Sequence, residues 1–181
     1  MIYFTGDEHH DHLNRRDTGI IDYCKRPFSN IAANTDAIVG RHNDTVTEDD
    51  TVIHLGDFCM RGSEHRTFYE GLMRKYKPVK QRHLILGNHD YMKPFDYHNI
   101  GFTSVHTLYW FDYNGYNFMC AHDPAFYQPK VYDKIMVCGH IHNLFKTIPA
   151  KKIVNVGVDV WDFRPVSIDI VIETLKKENV L

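Results

Sequence analysis

His83-Leu84-Ile85-Leu86-Gly87-Asn88-His89-Asp90 runs a short apolar strand straight into a glycine and three polar side chains. Leu and Ile in succession fit a buried strand, and the glycine lets the backbone turn sharply where the strand stops. The same ending recurs four times. Ile2–Thr5 runs into Gly6-Asp7-Glu8-His9, Thr51–Leu55 into Gly56-Asp57, Tyr116–Ala121 into His122-Asp123, and Ile135–Cys138 into Gly139-His140-Ile141-His142. Five strands thus deliver Asp, Asn or His just past their carboxyl ends, the edge at which α/β sheets bind ligands. One such ending is a loop; five make a site.

Away from these tips, strands are expected over Thr103–Phe111, Ile153–Val156 and Val166–Ile172. Asn114-Gly115 is the signal of a tight hairpin, so the strands on either side should pair antiparallel. Helices are expected over Asn30–Arg41, capped by Ser29 or Asn30, and over Glu64–Tyr76 after Ser63. Strands outnumber helices and the helices fall mainly in the first half. That pattern indicates a mixed α/β layered domain rather than a regular βαβ repeat.

Composition bounds the function classes. The 181 residues allow one sizeable core and fall short of two ordinary domains, so a single domain over 1–181 is expected. Hydrophobic residues at 43% and charged residues at 24% exclude collagen-like and wholly disordered chains. The formal net charge of −2 is too small for attraction to nucleic acid or membrane to organise the molecule. Cys24, Cys59, Cys120 and Cys138 stand far apart without a CxxC pair, which favours buried free thiols over disulfides or a cysteine zinc site. No signal peptide is visible, and no apolar run approaches the roughly 20 residues that span a bilayer. A cytoplasmic protein with no membrane partner is therefore expected.

The anomaly is 13 histidines, spread along the chain rather than gathered in a tag. Histidine is the commonest metal ligand among side chains. At the strand tips the donors are Asp7, His9, Asp57, Asn88, His122, His140 and His142. Nitrogen and oxygen donors without thiolate suit Mn, Fe, Ni, Zn or Co, and argue against a structural zinc or an all-oxygen calcium site. Seven donors exceed what one tetrahedral ion takes, so two divalent ions are implied. The spacing of two in Asp7-x-His9 and His140-x-His142 puts both members of each pair on one face of an extended segment.

Asp7-x-His9, Gly56-Asp57, Gly87-Asn88-His89-Asp90, His122 and Gly139-His140-x-His142 resemble, in order, the five motifs of the calcineurin-like metallophosphoesterases. The resemblance covers most of the chain. It implies a four-layer α/β/β/α sandwich and hydrolysis of a phosphate ester. It further implies that Asp7, His9 and His142 hold a first metal ion, that Asn88, His122 and His140 hold a second, and that Asp57 bridges them. His89 would face the substrate. Manganese is the first expectation for both ions, with iron, nickel, zinc, cobalt or magnesium as alternatives. Such a pair, roughly 3.5–4 Å apart, would clamp the phosphate and make hydroxide available for in-line attack, with His89 giving a proton to the leaving oxygen.

Within the family, Asp7-Glu8-His9-His10-Asp11-His12-Leu13-Asn14 is similar to the opening of small bacterial and phage phosphoesterases. Arg26-Pro27-Phe28, Asn43 and Gly157-Val158-Asp159-Val160-Trp161 share that likeness. His12 and Asn14 are candidates for the phosphate side of the site, while Asp159 and Trp161 are read as completing the fold. Gly56-Asp57-Phe58-Cys59-Met60-Arg61-Gly62 aligns with the Gly-Asp-x-x-Asp-Arg-Gly motif of the serine/threonine protein phosphatases. Arg61 then falls on their phosphate-binding arginine. Met60 replaces the aspartate that supports their catalytic histidine, and a thioether accepts no strong hydrogen bond, so His89 is expected to lack that partner.

This departure favours a phosphodiester, such as a nucleotide or cyclic nucleotide, over a phosphomonoester or phosphoprotein. Nuclease action on a polymer is a further reading, and a non-catalytic scaffold of the same fold is the last. Tyr91, Phe126, Tyr127 and Trp161 could stack on a base, although core packing is the simpler expectation for each. Arg74–Arg82 is the densest basic stretch; it is read as a helix end and solvated loop ahead of a nucleic-acid track. A monomer or small homo-oligomer is expected.

Overall fold

The computed structural model describes every residue except 14, 15, 17, 128–133 and 180. The chain runs β1 (Ile2–Thr5), α1 (Gly19–Cys24), α2 (Ile31–Thr45), β2 (Thr51–His54), α3 (Arg66–Met73), β3 (Gln81–Ile85), α4 (Pro94–Ile100) and β4 (Ser104–His106). It continues through β5 (Leu108–Tyr113), β6 (Tyr116–Ala121), β7 (Ile135–Cys138), β8 (Thr147–Ile148), β9 (Ile153–Asn155), β10 (Val166–Ser167) and α5 (Ile168–Lys177). The strands form two five-stranded sheets, ordered β10-β1-β2-β3-β4 and β5-β6-β7-β9-β8. Strands β1 to β4 are mutually parallel, as are β6, β7 and β9, while β10, β5 and β8 pair antiparallel at the edges.

Alternation along each strand builds the layers. Phe4, Ile53, Leu55 and Ile85 of the first sheet meet Phe118, Cys120, Val137 and Val154 of the second in one buried core, with Phe4 and Phe118 rings 6.3 Å apart. On the other face of the first sheet, Leu84 packs with Val39 of α2, Tyr69 and Leu72 of α3, and Tyr97 and Ile100 of α4. Met119, Met136, Cys138 and Ile153 on the outer face of the second sheet pack with Tyr127, Phe145 and Ile148. Two sheets flanked by helices are the layered α/β sandwich that the five motifs imply. All four cysteines are buried free thiols.

Three local readings are corrected. The apolar run Val166–Ile172 is not one strand: after two strand residues, Ser167 Oγ accepts the Ile170 N–H and opens α5. Burial at Ile168, Val171, Ile172 and Leu175 follows a helical stripe, which a short apolar run disguises. Thr103–Phe111 is likewise two strands, since β4 pairs with β3 and β5 with β6 in the other sheet. A continuous alternating pattern does not record a change of partner. The helix expected over Glu64–Tyr76 starts as a 3-10 turn at Ser63–His65 and ends at Met73, because the Ser63 hydroxyl bonds to Asp96 and Tyr76 turns inward, its Oη 2.7 Å from His10 Nε2. Helix α4, with Pro94 in its first turn and Gly101 at φ 116° behind it, goes unread despite ordinary start and stop signals.

The hairpin is as expected, with Tyr113 opposite Tyr116 and positive φ at Asn114 and Gly115. The basic stretch is largely structural. Arg82 is buried with its guanidinium 5.0 Å from the Tyr76 ring centroid, Lys77 Nζ caps the carbonyls of Asn43 and Val46 at the end of α2, and Lys75 pairs with Asp36. Asn43 in turn bonds to Lys75 O and the Lys77 N–H. Among the described residues, no helix is long and apolar enough to cross a membrane.

Candidate metal centre

Parallel pairing brings the carboxyl ends of β1, β2 and β3 to one edge of the first sheet, and those of β6 and β7 to the matching edge of the second. Hydrogen bonds lace the tips together. The Asp7 N–H donates to Gly56 O (2.9 Å), the His9 N–H to Asp57 O (2.8 Å), and the His140 N–H crosses between sheets to Asp7 Oδ1 (2.9 Å). Close approach demands glycine at position 87, where a Cβ would stand 2.2 Å from Asp57 Oδ1.

The backbone is bent unusually hard here. Asp7, His9, Asp57, His140 and His142 all have positive φ, between 48° and 72°. For non-glycine residues this conformation costs about 1–3 kcal/mol each, and it persists where surrounding contacts enforce it.

The expected donors converge in two groups, Asp7 with His9 and His142, and Asp57 with His122 and His140; within each group ligand atoms lie within 4.8 Å of one another. Asn88 joins the second group, its Oδ1 2.8 Å from His140 Nδ1 and 3.1 Å from His122 Nε2. Asp57 Oδ2 lies between the groups, 3.4 Å from His9 Nε2 and 3.3 Å from His122 Nε2. Asp7 Oδ2 and His9 Nε2 are buried with no hydrogen-bond partner among the described residues. Orphaned buried donors of this kind call for a ligand, and their chemistry fits divalent cations.

Each of three rings has one nitrogen tied back. His122 Nδ1 lies 2.6 Å from Leu55 O, His142 Nδ1 3.0 Å from Asp159 Oδ2, and His9 Nδ1 3.2 Å from Met60 Sδ. The oxygen contacts at His122 and His142 fix the tautomer and leave Nε2 free to ligate, while the Met60 thioether is only a weak acceptor beside His9. Asp159, read from sequence as a fold residue, therefore touches the site. Arg26 is buried beside it, donating to both Asp159 oxygens (2.7 and 2.9 Å) and to the carbonyl of Asp7 (2.7 Å).

Residues 1–161 match the family profile described as calcineurin-like phosphoesterase. The chain belongs to that family. It is 30% identical over 185 residues to the uncharacterized protein MJ1445 of Methanocaldococcus jannaschii, covering 99% of this chain and 94% of that one. The crystal structure of AQ665 from Aquifex aeolicus, a protein of unknown function, has the same fold, with TM-score 0.70 and 20% identity over 96% of this chain and 98% of the other. A looser overlap, with TM-score 0.43 and 18% identity over 86% and 81% of the two chains, is to a novel archaeal phosphodiesterase. Family membership makes the chain a metal-dependent phosphoesterase.

Charges in this phosphoesterase are set by burial and by the two carboxylates. Burial holds the His9 imidazole well below its usual pKa, and neighbouring His142, Arg26 and His12 push the same way. At His122 burial is outweighed by the hydrogen bond and charge of Asp57 and by Asp7, raising it to about 9. At His142 burial again loses, to Asp159, Cys24 and Asp7, and the ring rises to about 10. Burial lifts Asp7 above the ordinary carboxylate range. Asp57 falls below it, since burial is overcome by His122 and the His89 N–H.

A cavity of about 250 Å³ opens over the donors, lined by His9, His12, Ile20, Tyr23, Asp57, Asn88, His89, His140 and His142. His12 and His89 thus stand in the cavity wall as the sequence suggests, their ring centroids 6.2 Å apart. Asn14 lies outside the described residues. Arg61 is not in the wall; its Nε pairs with Asp11 Oδ2 at 2.9 Å and its Nη1 lies 3.3 Å from His65 Nε2. Tyr23, 77% exposed and edge-on to His142, and Cys24, grouped with His142 and Asp159, were not read as site residues. Both sit on α1, and no motif links that helix to the strand tips.

Other candidates resolve into support. Asp90 is a clamp, accepting N–H groups from Asp57 (2.8 Å), Phe58 (3.0 Å), Cys59 (3.2 Å) and Gly87 (2.8 Å). Trp161 Nε1 donates to Asn155 O, and Tyr127 is buried with its hydroxyl on Lys134 O, whereas Tyr91 and Phe126 are exposed. Larger cavities, of about 780 and 640 Å³, lie elsewhere: one is lined by α2 and α3 residues, the other by Arg74, Lys77 and Arg82 among others.

Proposed function

We propose that this protein hydrolyses a phosphodiester, with a nucleotide or cyclic nucleotide as substrate class, using two divalent ions of which manganese is the first choice. The observation that carries the reading is the position of Asp57 Oδ2, 3.4 Å from a nitrogen of one donor group and 3.3 Å from a nitrogen of the other. Asp7, His9 and His142 would hold one ion, Asn88, His122 and His140 the other, and Asp57 would bridge. When bound, such ions supply Lewis acidity toward phosphate oxygens and hydroxide near neutral pH.

The chain's own residues do the rest. His89 stands in the cavity wall, placed to give a proton to the leaving oxygen. His12 Nδ1 is buried without a partner among the described residues, and burial keeps the ring below its usual pKa, which suits a neutral ring meeting a phosphate oxygen. Arg61 would act on phosphate only after releasing Asp11, so it is assigned no step here. Among the described residues, no lysine or arginine lines the cavity. The diester reading is supported by Met60, which stands where the protein phosphatases have the aspartate that assists their histidine.

The test is metal-dependent turnover of bis-p-nitrophenyl phosphate against p-nitrophenyl phosphate, with Mn²⁺ added to metal-stripped protein. Diester preference is expected. A clear monoester preference would return the phosphatase reading and direct attention to Arg61.

A further inference from the structure

The aspartate that supports the corresponding histidine in protein phosphatases is Met60 here, and its sulfur is engaged elsewhere: Sδ lies 3.2 Å from His9 Nδ1. Asp90, next in sequence to His89, is taken up by four backbone N–H groups. Neither residue holds the His89 ring. What does meet it is the hydroxyl of Tyr91, 3.2 Å from His89 Nδ1, with the two rings edge to face at 6.1 Å. The His89 N–H is itself bonded to Asp57 Oδ1 at 2.9 Å, so backbone and ring are both anchored.

We propose that Tyr91 is the positioning residue for His89, its Oη accepting the Nδ1–H of the ring so that Nε2 is the nitrogen presented to the leaving oxygen. This deepens the phosphodiesterase reading and rests on it. The proton count is simple. As the bond from phosphorus to the leaving oxygen breaks, the bond's electron pair goes to that oxygen. The His89 imidazolium transfers its Nε2 proton there and becomes neutral, keeping its Nδ1–H on Tyr91. A hydroxyl oxygen serves as acceptor before and after the transfer, which a thioether does poorly. Unlike an aspartate, it orients the ring without bringing a negative charge to it. Tyr91 is 59% exposed, so removing its hydroxyl leaves no buried group unpaired.

A double-mutant cycle tests the assignment. Esters with alkoxide leaving groups depend on His89, and for these Y91F should lower kcat about threefold to tenfold, the worth of one ordinary hydrogen bond. The same change in an H89A background should do nothing further, because the two residues act as a unit. An equal loss in both backgrounds, or none in either, would overturn the proposal. A second readout does not depend on turnover: ¹⁵N NMR of the Mg²⁺-loaded protein should show neutral His89 as the Nδ1–H tautomer, reverting to Nε2–H in Y91F. Should the wild type cleave no ester with any divalent ion, the phosphodiesterase reading fails, and the tautomer alone decides the role of Tyr91. An Nε2–H ring in the wild type would sink it.

Discussion

Asp159 Oδ2 lies 3.0 Å from Nδ1 of His142, and the same carboxylate is gripped by both Nε and Nη2 of buried Arg26. The pairing turns the His142 ring so that Nε2 can join Asp7 and His9. Removing such an outer partner typically costs 10–100-fold in metal affinity or activity. Asp159→Asn is therefore expected to weaken binding of one ion of the pair by about that factor, read by isothermal titration with Mn²⁺. Arg26→Lys should resemble it, since an ammonium cannot grip both oxygens in parallel while bonding the Asp7 carbonyl. Unchanged affinity in both variants would remove Asp159 from the site.

Asp90 organises the loop that presents Asp57. In Asp90→Asn an amide NH₂ would face backbone N–H donors now bonded to a carboxylate, leaving at least one of them unsatisfied. A loss of about 1–3 kcal/mol in unfolding free energy is expected from denaturant titration. Turnover should fall as well, because Asp57 would lose its position. Stability equal to the wild type would mean that the four contacts carry little.

Gly87→Ala makes a sharper steric test of the same loop. The added Cβ would stand 2.2 Å from Asp57 Oδ1 and 2.4 Å from the Asp57 backbone nitrogen, so the loop must shift. Gly115→Ala, at a hairpin tip with nothing within 4 Å of the added carbon, should cost only backbone strain from φ 80° and leave turnover intact. Equal activity in the two variants would contradict the close approach at Asp57.

The metal-free protein should respond to pH in a defined direction. His122 and His142 have folded pKa values of about 9 and about 10, above the ordinary histidine value of 6.5. Raised values mean stabilisation that is fully present below about pH 6.5 and is lost as pH climbs through 9 and 10. The melting temperature of stripped protein should thus fall across that window. Metal binding at pH 7 must also displace these protons, so calorimetry in buffers of different ionisation enthalpy should report proton release. No dependence on buffer would place the protons elsewhere.

Much of the centre is legible in the sequence because its donors sit one to four residues past a strand end, and parallel pairing then brings those ends together. Strand β3 and its Gly87-Asn88-His89-Asp90 tip show this directly. What stays hidden comes from tertiary contact. Asp159 reaches His142 from a 3-10 turn at Val158–Val160, Tyr23 and Cys24 from α1, and Tyr91 reaches His89 only through a ring orientation that no spacing encodes. In the fold, α5 was hidden because Ile168-Asp169-Ile170-Val171-Ile172 satisfies both a strand and a helix pattern; Ser167 as cap and burial at Leu175 decide it. The layered core needs no such arbitration, since Phe4, Ile53, Ile85, Phe118 and Val137 fall on strands whose apolar runs are plain.

The most direct measurement is a Mn²⁺ titration of the metal-stripped protein followed by electron paramagnetic resonance, with Asp57→Asn in parallel. With Asp57 Oδ2 3.4 Å from His9 Nε2 and 3.3 Å from His122 Nε2, two ions per chain should bind with an exchange-coupled spectrum, and Asp57→Asn should lose the coupling. A single ion per chain, or two ions with uncoupled spectra in the wild type, would contradict a dinuclear centre bridged by Asp57.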